Sequence, residues 1–257
     1  MDASVVQPSP VAVLLDEGSP VKKIGLVVLS TDLTFERDFH RICSPDRVGL
    51  YAARILFENP TTPENLRKML PRIEAAAELI LTDTPLDAVC YGCTAATVHI
   101  GDEGIQAAVQ SAKSGVPVIT PSGAGAEGLK ALGARRISVL TPYTVEVSRP
   151  FADYFTSRGF DVVNLQCLGL LDDRDIGRVS KQTILDAARA AMSPDSDALF
   201  LSCTALRAVE CLDEVEALIG KPAVSSNQAS VWLTLRRAGV LDEIAGFGRL
   251  LKHGAPE

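Results

Sequence analysis

The 257-residue chain predicts an α/β fold of two similar lobes with parallel sheets, related by pseudo-twofold symmetry. Three observations predict it. Short apolar runs of strand length alternate with stretches of helical spacing. The runs are apolar throughout, as expected for strands buried on both faces. Segments of the first half also recur in the second, in the same order and at a nearly constant offset. A repeat that long marks a duplicated domain, not a solenoid.

Residues 1–21 are rich in Pro and Ser and read as a loose N-terminal arm. The first lobe is expected over residues 22–134. It opens with a buried strand at 24–29. Residues 63–82 show helical spacing through Leu66, Leu70, Ile73, Ala77 and Ile80. A second strand is read at 86–91, a helix at 104–114 and a strand at 116–120. The second lobe, residues 135–240, repeats the pattern: 24–30 is echoed by 137–141, 88–95 by 198–205, and 115–120 by 220–225. Residues 241–257 are expected to return to the first lobe.

Composition narrows the functional class. At 47% hydrophobic and 22% charged, the chain can bury a large core. A net charge of −7 with no basic stripe argues against nucleic acid as a partner. No apolar run reaches the roughly 18 residues that a membrane helix needs. The first 21 residues lack the basic region and cleavage site of a signal peptide, so a cytoplasmic protein is expected. The six cysteines (43, 90, 93, 167, 203 and 211) should then be reduced. Cys90 and Cys93 form a C-x-x-C, but a zinc site needs a second pair, and Cys203 and Cys211 have the wrong spacing. No metal is expected. The partner is a small-molecule substrate, and a homo-oligomer is expected.

The echo that carries chemistry is the pair Cys93-Thr94 and Cys203-Thr204. Each follows an apolar strand, and in open α/β sheets ligands bind beyond the carboxyl ends of strands. Thr94 and Thr204 are read as helix N-caps and as substrate-binding residues, with each sulfur near the positive end of a helix and its pKa lowered. Two facing lobes would set the sulfurs on opposite sides of one cleft. Such thiols can move a proton from one face of a carbon to the other, or one can add to a double bond while the other manages the proton. The bland alternative is a pair of buried, inert thiols.

With these residues in place the sequence resembles the aspartate/glutamate racemase superfamily. The resemblance is to the branch of maleate cis–trans isomerases, arylmalonate decarboxylases and ectoine-utilisation proteins, over residues 22–251. It is carried by Tyr91-Gly92-Cys93-Thr94, Leu140-Thr141-Pro142-Tyr143, Ser202-Cys203-Thr204 and Ser225-Ser226-Asn227-Gln228-Ala229. It implies no metal and no organic cofactor. It implies Cys93 as nucleophile or base and Cys203 as the opposing acid or base. By the same resemblance Tyr143 helps to hold substrate, although a tyrosine packed on the lobe interface is the alternative. Decarboxylases of this branch lack the first-lobe cysteine; both are present here.

One departure shifts the expected substrate. Maleate isomerases resemble one another in placing asparagines after the first strand and in a second-lobe Asp-Asn stretch. Here the matching segments are Ser30-Thr31-Asp32 and Asp172-Asp173-Arg174-Asp175. An ionised aspartate cannot donate to a substrate carboxylate and repels it. Ser30, Asp32 and Asp173 are therefore read as contacts for an amine or amidinium, which favours the ectoine-utilisation branch. The alternatives are a helix cap at Asp32 and a solvated loop at 172–175. Asn227 is read either as a substrate contact or as the cap of a helix at 229–238. A non-catalytic binding protein on the same fold is the reading from a second class. A weaker third is a nucleotide binder, from the G-x-G-x-x-G at 123–128.

Overall fold

The protein is described by a computed structural model over residues 6–16, 18 and 21–254. Strands β1 (Lys22–Leu29), β2 (Val48–Ile55), β3 (Ala88–Gly92) and β4 (Val118–Ile119) form one sheet in the order β2-β1-β3-β4. Strands β5 (Arg136–Tyr143), β6 (Asp161–Leu170), β7 (Ala198–Leu201) and β8 (Ala223–Ser225) form the other in the order β6-β5-β7-β8. All pairings are parallel. The segments that echo each other in sequence fall on β1 and β5, β3 and β7, and β4 and β8, at matching places in the two sheets. β3 and β7 are buried on every residue, as strands covered on both faces must be.

The lobes are knitted together by the helices that follow their fourth strands. The helix Pro121–Ala131 follows β4 and the helix Ser226–Arg237 follows β8, and the two pack against each other. Each also reaches the other lobe. Gly125 lies so close to Phe200 of β7 that a Cβ there would run into the ring. The helix Ser226–Arg237 in turn packs against β3 of the first lobe. The C-terminal segment comes back over this pair of helices: Leu250 packs on Gly128, and the His253 carbonyl accepts from Trp232 Nε1 at 3.0 Å and from Arg236.

Several expectations needed adjustment. The helix expected over 63–82 is two, Pro63–Arg67 and Leu70–Glu78. Pro71 is the cause: it offers no N–H to Arg67 and its ring crowds that carbonyl, so the chain turns at Lys68 and Met69. The expected strand at 116–120 shrinks to Val118–Ile119. The G-x-G-x-x-G lies inside the helix Pro121–Ala131 and not in a loop, so no phosphate cradle forms, and the nucleotide-binding reading is withdrawn. Of the expected arm, residues 6–16 and 18 are exposed; 1–5, 17, 19 and 20 lie outside the described residues, as do 255–257 of the C-terminal segment. Among the described residues no helix is long and apolar enough to cross a membrane.

Candidate active site

Cys93 follows β3 directly and is the N-cap of the helix Thr94–Ile100. Cys203 comes two residues after β7. Both are buried, at 6% and 4% exposure. They lie near enough for each other's charge to matter, and both bear on the Tyr143 hydroxyl. The structure thus brings Cys93, Cys203 and Tyr143 together, from three strand ends in two lobes. Tyr143 ends β5 with its ring tilted on Phe151, 5.8 Å away. Its hydroxyl accepts from Ser202 at 3.5 Å and donates toward Cys203.

The threonines do something other than the expected capping. Thr94 is the first residue inside its helix, so it cannot cap it. No helix starts at Thr204; the next element is the 3-10 turn Ala208–Cys211. Instead the two hydroxyls cross between the lobes. Thr204 donates to the carbonyl of Gly92, next to Cys93, at 3.0 Å. Thr94 donates to Ser226 Oγ at 2.9 Å, and the same oxygen accepts the Cys203 N–H at 3.1 Å. Ser226 therefore ties both thiol loops to one atom, a role that sequence reasoning missed although it sat beside Asn227 in the quoted motif. Ser122 closes the first-lobe equivalent, donating to the Thr94 carbonyl at 3.1 Å.

The expected lowering of the thiol pKa values is also overturned. Burial pushes the Cys93 thiol well above its ordinary value. The nearby Ala96 N–H pulls the other way, and the charges of Cys203, Asp173 and Asp32 raise it further. Burial pushes Cys203 up to about 12, with Asp173 adding to the rise and Tyr143 opposing it. A helix N-terminus contributes at most about 1–2 kcal/mol, whereas full burial can shift a group by roughly 3–5 pKa units. Desolvation wins, and both thiols are neutral in the empty site.

Asp32 is 1% exposed. Its Oδ1 accepts the Thr34 and Phe35 N–H groups at 2.8 Å each, so it does cap the start of the helix Phe35–Ile42. Its Oδ2 is buried with no partner. Burial raises its pKa to about 6, against the two backbone donors. Asp173 is 6% exposed, takes a 2.5 Å hydrogen bond from Thr31, and is likewise raised by burial. Asp172 differs: it caps the turn Asp173–Ile176 and pairs with Arg174, which with a backbone N–H holds its carboxyl down at about 2. Asp32 and Asp173 thus belong with the thiols, and Asp172 with the surface. Ser30 is exposed and braces the Phe57 N–H at 3.1 Å; its neighbour Thr31 reaches Asp173. Asn227 is buried, but Ser225 caps its helix, in a capping box with Gln228. Asn227 Nδ2 instead holds the Thr204 carbonyl at 2.9 Å and Asp38 at 2.7 Å. Among the described residues no group of three or more His, Cys, Asp or Glu side chains could hold a metal ion.

Two buried thiols at the carboxyl ends of matched strands, in two parallel-sheet lobes, define an enzyme of the Asp/Glu racemase-like class. The chain belongs to the arylmalonate decarboxylase family, whose profile matches residues 51–251. It is 28% identical over 244 residues to a maleate isomerase of Nocardia farcinica (strain IFM 10152), covering 91% of this chain and 96% of that one. It is 34% identical over 140 residues to an arylmalonate decarboxylase of Bordetella bronchiseptica, covering 53% of this chain and 58% of that one. In fold it is similar to the maleate isomerase Iso of Pseudomonas putida S16 with maleate, at TM-score 0.84 and 24% identity, covering 92% of this chain and 100% of that one. It is also similar to a mutant Nocardia farcinica maleate cis–trans isomerase with a covalently bound succinylcysteine intermediate, at TM-score 0.82 and 24% identity, over 90% of this chain and 98% of that one. These relatives support an isomerase, the enzyme class expected from the sequence.

Proposed function

We propose that the chain is a racemase or isomerase of a small polar carboxylic acid bearing an amine or amidinium, with Cys93 and Cys203 as its catalytic thiols. One thiol, which releases its proton to solvent as substrate binds, then takes the proton from one face of the carbon. The opposing thiol delivers its own proton to the other face. The two sulfurs end with exchanged protonation states, and no outside proton source is consumed. Tyr143 stays neutral, donates to Cys203 and steadies that sulfur as thiolate.

The observation that carries the cationic part is the placing of Asp32 and Asp173. Both are buried, both have raised pKa values, and the charge of each raises Cys93. A cation seated beside them favours the ionised form of all three groups at once, so binding it would also prepare the thiolate. A substrate dianion would do the reverse. Ectoine-derived amino acids have the required chemistry, which keeps the ectoine-utilisation reading first.

A second reading, maleate cis–trans isomerisation, is favoured by the relatives. In it a thiolate adds to one alkene carbon, the carbon–carbon bond rotates as a single bond, and the sulfur leaves with the double bond restored. The deciding experiment incubates the protein in D₂O with maleate and with an ectoine-derived amino acid, followed by NMR. Exchange of the α-proton of the amino acid, with inversion, is expected. Asp32→Asn keeps the shape but adds donors; it should weaken the cationic substrate roughly 10- to 150-fold and relax the exclusion of maleate. Faster turnover of maleate by the unmodified protein, or an unchanged preference in the mutant, would put the maleate reading first.

A further inference from the structure

A buried acid with an unsatisfied oxygen lies behind the Cys203 loop. Asp38, on the helix Phe35–Ile42, is 0% exposed and contacts the second lobe through Asn227. Asn227 Nδ2 donates one hydrogen to Asp38 Oδ2 at 2.7 Å and the other to the Thr204 carbonyl at 2.9 Å. The remaining oxygens of the two side chains, Asp38 Oδ1 and Asn227 Oδ1, are both buried and both lack a partner. An ionised carboxylate has no hydrogen to offer the amide oxygen. A carboxylic acid does, and an acid facing a carboxamide can close a ring of two hydrogen bonds.

The backbone that this pair holds is unusual. Cys203 has φ 95°, a conformation that side-chain-bearing residues rarely adopt. Such strain persists only where the surroundings over-determine it. Here four hydrogen bonds do so. Ser226 accepts the Cys203 N–H, Asn227 holds the Thr204 carbonyl, Thr204 donates to Gly92, and Thr34 donates to the Ala205 carbonyl at 2.9 Å.

We propose that Asp38 is a positioning residue that fixes the Cys203 loop as a neutral acid, doubly hydrogen-bonded to the Asn227 carboxamide, and that its ionisation loosens the loop. The charged groups around it are consistent with this. Glu210, on the turn Ala208–Cys211, and Asp32, on the preceding loop, oppose its ionisation; Arg41, on its own helix, favours it but is shared with Glu210 at 3.3 Å. The helix Ser226–Arg237 presents only the uncharged Asn227. Burial, the largest influence, raises the Asp38 pKa to about 7, so the switch would fall near neutrality. Only the catalytic consequence depends on the proposed function; the pairing itself does not.

The test compares the full-length protein with Asp38→Asn, which cannot ionise but can form the same ring as an amide pair. Infrared difference spectra should show a carboxylic-acid carbonyl band, absent from D38N, that disappears as pH rises through about 7. Iodoacetamide labelling of Cys203, read by peptide mass spectrometry, should accelerate with an inflection near that pH in the unmodified protein and without it in D38N. Asp38→Ala should raise the labelling rate roughly 5- to 150-fold at low pH, the loss of a buried hydrogen bond. If that variant does not fold, the D38N profile and the infrared band decide. A missing band, or the same inflection in D38N, overturns the proposal.

Discussion

The two thiols end equivalent strands, yet they are held in different ways. Cys93 has extended backbone and caps a helix of its own lobe, whereas Cys203 sits at φ 95° in a loop that no helix supports. The second loop makes up for this with side chains: Ser226, Asn227, Thr34 and Tyr143 all bear on residues 203–205. Duplication supplied two similar places, and the surroundings made them unequal. Cys93 takes the charge of Asp32 and Asp173, while Cys203 takes that of Asp173 alone and has the tyrosine to oppose it. If the proposed cationic substrate is the right one, it would act first on Cys93, which would suit that thiol for the opening proton abstraction.

The comparison can be broken most directly at the sulfurs. Cys93→Ala and Cys203→Ala should each lower turnover by about 10²–10⁴-fold, the usual size of a general acid–base contribution. Solvent deuterium exchange should separate them: a variant keeping one base can still exchange from one face without inverting. Comparable inversion in either variant would leave that thiol without a role.

A smaller effect is expected at the shared brace. Ser226→Ala removes the acceptor for Cys203 N–H and the partner of Thr94 together, so kcat should fall by roughly 5- to 150-fold with KM little changed. Ser122→Ala touches only the Thr94 carbonyl and should cost less. Equal losses would mean that the two loops are braced alike.

The aspartates sharpen it through stability. The Asp32 pKa is raised in the folded protein, so its contribution is fully favourable below pH 3.8 and is lost as pH rises through about 6. Asn can still accept the two backbone N–H groups. Asp32→Asn should therefore be near neutral at pH 4 and stabilising at pH 8, by up to about 3 kcal/mol in urea unfolding. The same gain at both pH values would contradict burial as the cause.

The mildest test is chemical. With both site thiols buried and neutral, iodoacetamide at neutral pH should label the half-buried Cys167 before Cys93 or Cys203 in the empty protein. Prior labelling of Cys93 would restore the low-pKa reading.

Six of the eight strands, their order of recurrence and the pairing of Cys93 with Cys203 were legible in the sequence because duplication writes the same pattern twice; β2 and β6 were not read, being only partly buried and so without a continuous apolar run. What was hidden depends on distance across the lobes. Thr94 and Thr204 look like caps when only their neighbours are known; their partners are 132 and 112 residues away. Asp32 was read both as a substrate contact and as a cap; one oxygen holds the backbone at the start of its helix, and the other is buried without a partner. Asp38 carried no signal at all, since a charge near the start of an amphipathic helix is ordinarily solvated. Only the approach of Asn227 from the other lobe makes it notable.

Ser226 has a consequence for how such a molecule can change. Its hydroxyl belongs to one copy of the ancestral unit, but it serves the working residues of both. Neither half expressed alone would carry an intact thiol loop. Substitutions at positions 94 and 226 should therefore covary among descendants, and the freedom that duplication usually grants to a spare copy is closed off here.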